Sequence, residues 1–341
     1  MKISFNQLGC FRAVTGNTAG IFLWLFMVAG AGVVNAFAAG PMVVLPVGVT
    51  SVEIQQALDV LPESGGEVVL PAGNFEVFQP IVLRRDGQTL RGTGAATVLH
   101  LADNANCPVI ILGEPVNAPS RIVRHLRVAG FFVDGNRVHQ QRELWRLSGE
   151  GSEIRNNGIT VQAVSDSVVE DVTCARNRSG GLVTTLGVVR LTVRNLTAFD
   201  NEFDGLACYL TTNSLFTGLN LHNNPGAGIS LDLAFNHNVI SNAVLSANDL
   251  GIFMRASRDN QFYDISIRNS RDHGVFMAHA EAPRTECVDN AFTNLIAANC
   301  GGAAFRVNNT TCTNNIIIRA KFEGNVKGGL SLAQPNLVTV Q

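Results

Sequence analysis

Tyr209, Asp232 and Arg255 follow one another at intervals of 23 residues, and together they supply a phenol, a carboxylate and a guanidinium. On one line these groups suit an anionic sugar. The C5 proton of a uronate is hard to remove because charge builds up beside a carboxylate, and a guanidinium that neutralises the carboxylate stabilises the enolate-like transition state. Arg255 fits that task, Tyr209 fits proton transfer as acid or base, and Asp232 can orient Arg255 or a sugar hydroxyl. The trio equally fits an ordinary solvated row in which Asp232 simply pairs with Arg255. His279 is a further candidate base, although a lone histidine also serves structurally.

Around these residues lie groups suited to holding a sugar. Phe253 and Phe276 fall at equivalent positions of successive repeats and are expected side by side on the outer surface, either to stack on sugar rings or to sit under a covering loop from 137–155 or 283–290. Trp145, within the 137–155 segment beside His139, Arg142, Glu143 and Arg146, offers another stacking surface, and Arg306 another cation for substrate binding. Paired carboxylates for hydrolysis are less well provided. The outward strand positions give only Asp232, whereas Asp204, Asp249 and Asp272 lie in turns.

The spacing that aligns these side chains is a property of the whole C-terminal two-thirds. Glycines recur at 158, 181, 205, 228, 251 and 274, and the pattern continues at Gly302 and Gly329. Each opens a short apolar run, and Asn-rich turns (ARN, FDN, HNN, AND, IRN) precede most of them. A fixed period of this size means stacked units sharing one core. The units are rich in Val, Ile, Leu and Thr, and turns interrupt every helical stripe, so each reads as one coil of a parallel β-helix with about three short strands. Asn tolerates left-handed turn geometry, and equivalent Asn side chains stacked coil on coil can form amide ladders.

Period-two alternation then assigns faces. The first and third residues after each glycine (Leu182 and Thr184, Leu206 and Cys208, Ile229 and Leu231, Ile252 and Met254, Val275 and Met277) are expected in the core. The second (Val183, Ala207, Ser230, Phe253, Phe276) and fourth (Thr185, Tyr209, Asp232, Arg255, Ala278) are expected to face out.

The composition agrees with one continuous all-β domain. Apolar content of 46%, charge of 15% and a net charge of −2 suit a long buried core, and no basic run of the kind that binds nucleic acid is present. Thr50 and Glu53 form a capping box for a short helix through Ile54, Ala57, Leu58 and Leu61, placed to cover the open end of the stack. At the N-terminus, Lys2 and Arg12 precede an apolar stretch that ends in Ala36-Phe37-Ala38. This reads as a signal peptide, residues 1–38, cleaved near Ala38/Ala39, with the β-helix over 39–341 and a periplasmic or secreted destination; a retained membrane anchor is the competing reading. Six cysteines follow it. Cys208 and Cys174 fall at strand positions, which leaves Cys287, Cys300 and Cys312 as the expected bridge formers. Cysteine spacing and acidic content give no basis for a metal or cofactor.

The segment from TSVEIQQALDVL to TVLHL, together with FFVDGNR, resembles the N-terminal coils of pectate-lyase-like right-handed β-helix proteins. Over residues 170–280, LTVRNLTAFDNEFDGLACYL and NNPGAGISLDLAFNHNVISNAVLSANDLGI resemble the coils of the mannuronan C5-epimerase and alginate-lyase-related branch. That resemblance implies action on an alginate-like or pectin-like acidic polysaccharide. Its Asp-Pro-His motif is missing: Gly181 and Leu182 match the residues before it, but Val183, Thr184 and Thr185 stand in its place. No family catalytic residue carries over, so an epimerase or lyase of this kind would have moved its acid and base. A non-catalytic polysaccharide-binding or structural β-helix, and a glycoside hydrolase, are the alternatives.

Overall fold

A computed structural model describes residues 40–141, 154–278 and 286–341. The expected leader, Trp145 and His279 lie outside the described residues. Within them, strands form three parallel sheets of 14, 10 and 6 strands wrapped around one core. One circuit is enough to define the coil. Leu206–Tyr209 lies in the ten-stranded sheet, Thr211–Thr212 in the six-stranded sheet and Leu215–His222 in the fourteen-stranded sheet. The chain then returns to Ala227–Asp232, paired in register above Leu206–Tyr209.

Single left-handed residues make the corners. In this circuit they are Leu210, Asn213 and Asn223, at φ 48°, 53° and 57°, and Gly218 at φ 68° bends the long strand midway. In neighbouring coils the bend falls at Asp171, Asn195, Asn242 and Asp264. Short polar side chains and glycine tolerate this geometry best. The Asn-rich turns therefore divide their work. Arg176, Asp200, Asn223 and Ala247 take the left-handed conformation, and the Asn that follows each one points inward.

Those inward residues, Asn177, Asn201, Asn224 and Asn248, form the expected ladder. Each amide Nδ2 donates to the Oδ1 of the next, at 2.7, 3.0 and 2.9 Å. A second ladder runs through Asn238, Asn260, Asn290 and Asn315. Buried amides are stable only when bonded, and a column of identical amides satisfies them coil by coil. The ladder also explains the repeat glycine. A Cβ on Gly228 would lie 2.8 Å from the Nδ2 of Asn248, and one on Gly251 would lie 2.4 Å from the carbonyl oxygen of Gly274. Adjacent coils approach too closely there for any side chain.

The core rows match the alternation: Leu182, Thr184, Leu206, Cys208, Ile229, Leu231, Ile252, Met254, Val275 and Met277 are all fully buried. Phe262 and Phe292 stack inside at 4.2 Å between centroids. Each such side chain contributes about 1.5–3 kcal/mol on burial. The helix Ser51–Asp59 has both capping-box bonds between Thr50 and Glu53, and Ile54 and Leu58 are buried on the first strands.

The expectation for the cysteines is corrected. All six described cysteines are free thiols. Cys287 and Cys312 are neighbours that share a hydrogen bond, which holds the Cys312 thiol down at about 7. Cys300 takes the ladder position below Asn325, whose Oδ1 accepts its backbone N–H at 3.0 Å. That position gives its sulfur the carbonyl of Ala298 as a partner, at 3.8 Å, instead of a thiol.

Candidate active-site cleft

The outer face of the ten-stranded sheet brings Tyr209, Asp232 and Arg255 together. Tyr209 is the register partner of Asp232, and the Arg255 N–H donates to the Leu231 carbonyl at 2.9 Å, which places Arg255 one coil further on. Arg255 Nε donates to Asp232 Oδ2 at 2.8 Å, its Nη2 donates to the same oxygen, and the Leu233 N–H donates to Oδ1 at 2.7 Å.

The row is not the solvated surface that a simple outward position would give. Asp232 is 1% exposed and Tyr209 9%, with Tyr209 packed against Val183, Ala207 and Leu233. An ion pair this dry costs desolvation, and its return is a guanidinium held in one orientation.

That guanidinium lines a cleft of about 290 Å³ together with Tyr209, Phe253, Phe203 and Arg155. Both arginines lie over rings: Arg255 is 5.3 Å from the Phe253 centroid and Arg155 is 4.9 Å from that of Phe203. Asp204 and Asp249 enter from the turns. Asp204 accepts the Ala227 N–H at 2.7 Å, and Asp249 pairs with Arg271 at 3.3 Å. Behind Tyr209 lies a pocket of about 30 Å³ lined in part by Asn157, Thr160 and Gln162, large enough for one water.

Phe253 and Phe276 are half-buried neighbours with centroids 5.9 Å apart, and Arg306, the register partner of Phe276, lies 5.7 Å from its ring. Phe253 faces the cleft, while Phe276 and Arg306 extend the row beyond it. Beside them His273 is buried. Its Nδ1 accepts the Ala303 N–H at 2.8 Å, and burial lowers its pKa, so the neutral imidazole is favoured. Among the described residues no group of three or more His, Cys, Asp or Glu could hold a metal.

Sequence reasoning missed Arg155, Phe203 and the inward reach of Asp204 and Asp249. Asp204 and Asp249 carried one signal, since each stands one or two residues before a repeat glycine. Arg155 carried none, because it ends an insertion outside the period.

The sequence model described as "Right handed beta helix region" matches residues 123–244 and 190–340. The chain belongs to the right-handed β-helix family. Several solved structures share the fold at low sequence identity. The ORF18 protein of Geobacillus virus E2 is 15% identical with a TM-score of 0.65, over 85% of this chain and 58% of that one. The chain thus spans little more than half the length of the viral protein. A polygalacturonase from Erwinia carotovora ssp. carotovora is 11% identical with a TM-score of 0.64, covering 89% of this chain and 96% of that one. An alginate lyase from Paenibacillus sp. str. FPU-7 is also 11% identical, with a TM-score of 0.62 over 87% and 99%. These likenesses agree with the right-handed parallel β-helix as the fold. No curated protein matches the chain in sequence.

Proposed function

We propose that this β-helix protein is exported and acts at C5 of a uronate polymer, as an epimerase or a lyase. The observation that carries the reading is the single cleft that joins the Tyr209 phenol to two guanidiniums and an aromatic ring. Arg255, fixed by Asp232, and Arg155 meet the sugar carboxylate and stabilise the charge that develops when the C5 proton leaves. Tyr209 exchanges that proton, and Phe253 supplies a face for the ring. Return of a proton to the opposite face of C5 gives the epimer. Alternatively the C5 electron pair forms a C4=C5 double bond while the C4–O bond breaks with its electrons on the departing oxygen, and protonation of that oxygen leaves an unsaturated end.

The test is incorporation of solvent deuterium at C5 of polymannuronate, alginate and polygalacturonate, followed by NMR in heavy water. Deuterium at C5 or unsaturated ends are expected on one of them, and Tyr209→Phe should abolish both. A blank on all three overturns the chemistry; retained polymer binding without new reducing ends would then leave a binding protein. An intact mass beginning at Ala39 checks export.

Hydrolysis is a second reading, favoured by one observation: Asp204 and Asp249 face the same cleft from coils two apart. Two rungs span about 9.6 Å, close to the separation of about 6.5–9.5 Å used by inverting glycosidases. It predicts new reducing ends without C5 deuterium, lost in Asp204→Asn.

A further inference from the structure

The fourteen-stranded sheet carries a second groove, on a different face of the coil. It has a volume of about 520 Å³ and is lined by Asn74, Glu76, Val98, His100 and Asp134, with Phe75 behind. Its polar members form one column: Glu76 is the register partner of His100, and His100 that of Asp134.

Asp134 is held from three sides. Arg176 Nε donates to Oδ1 at 3.0 Å and its Nη2 lies 2.8 Å from Oδ2, the Asn136 N–H donates to Oδ1 at 3.1 Å, and His100 Nδ1 meets Oδ2 at 2.9 Å. The carboxylate therefore fixes the imidazole with Nδ1 inward and Nε2 outward, and the side chain of His100 is 41% exposed. Such orientation of a half-exposed imidazole is more than coil stacking needs.

Further along this face the surface turns aromatic. Arg176 lies 5.4 Å from the Phe132 centroid, and Phe132 meets Phe199 edge-on at 6.4 Å. Phe199 is parallel to the His222 ring within 2°, at 5.0 Å. These rings are half-buried on a face whose neighbouring outward positions mix polar residues (Thr173, Thr197, Asn220 and Ser246) with the apolar Val98, Ala175 and Val244. Polar hydrogen-bonding groups beside flat apolar rings are the two elements that sugar recognition combines.

The charges select the sugar. Arg176 offsets Asp134, which leaves the Glu76 carboxylate facing the groove, and a carboxylate there repels a uronate. We propose that this face is a second carbohydrate site that takes a neutral glycan, with sugar hydroxyls bonded by Glu76 and His100 Nε2 and sugar rings laid on Phe132 and Phe199. The site is independent of the chemistry in the arginine-lined cleft. A glycan lying along the coil axis meets the polar column first and the aromatic strip next.

Affinity electrophoresis in gels containing galactomannan, xylan or dextran tests the site, with thermal unfolding to confirm that each variant is folded. The expected result is retardation by at least one of these neutral polymers, weakened several-fold by Glu76→Gln and lost in His100→Ala and Phe199→Ala, but unchanged in Tyr209→Phe. Glu76 is exposed, so its variant keeps the test valid if another fails to fold. Migration unaffected by all three polymers overturns the proposal, as does retardation that survives every groove substitution. A blank in deuterium exchange would not bear on it.

Discussion

Two carboxylates on different faces of this coil are each clamped by an arginine, and the clamps are built differently. Asp232 is 1% exposed and has Arg255 and the Leu233 N–H as partners. Asp134 is 8% exposed and shares itself among Arg176, His100 and the Asn136 N–H. In the first case the acid immobilises a guanidinium that lines the cleft. In the second it immobilises an imidazole, while the guanidinium lies over an aromatic ring. The same acid–arginine pair thus presents a cation on one face and a neutral hydrogen-bonding ring on the other.

If the difference in burial matters, removing the two arginines should not cost the same. Arg255→Ala leaves a buried charge without its cation and should destabilise by about 3–5 kcal/mol in urea unfolding. The buried amide ladder sets an intermediate scale. Asn224→Ala removes the acceptor for Asn201 and the donor to Asn248 and should cost about 1–3 kcal/mol. Arg176 has a side chain 45% exposed, and Asp134 keeps two other partners, so Arg176→Ala should cost about 1 kcal/mol. Equal losses for the two arginines would erase the distinction.

The smallest effect is in pH dependence. Burial alone would raise the Asp134 pKa, but the hydrogen bonds from Arg176, Asn136 and His100 outweigh it and hold it below the usual value. Its contribution is therefore fully present above an ordinary aspartate pKa of about 3.9 and is lost as pH falls through the lower folded value. Asp134→Asn should flatten the acid limb of stability against pH in that window. An unchanged limb would mean that the clamp adds nothing.

The two faces also differ in how far the sequence exposes them. Tyr209, Asp232 and Arg255 were visible because regular coils keep equivalent residues 23 apart, and the same regularity marked the core rows and the ladder asparagines, while a capping box marked the N-terminal helix. What it could not show was depth: outward alternation says which side of a strand a residue takes, but the packing of Val183, Ala207 and Leu233 that buries the row is set by other coils. The turn residues Asp204 and Asp249 lie where alternation stops. His100 and Asp134 are 34 residues apart, in early coils of unequal length, and no constant spacing links them.

The cleft draws Phe203 and Asp204, Tyr209, Ser230, and Asp249 and Arg255 from successive turns of the stack. Loss or duplication of one of the regular coils between Asn177 and Asn248 would leave that ladder and the core rows continuous, because each of these coils offers its neighbours the same amide and the same apolar positions. The cleft would not survive it, since its members would move apart by one rung. In such a molecule a change of coil number is conservative for folding and radical for specificity, and exchanging a single coil rewrites one wall of a site while the scaffold stays intact.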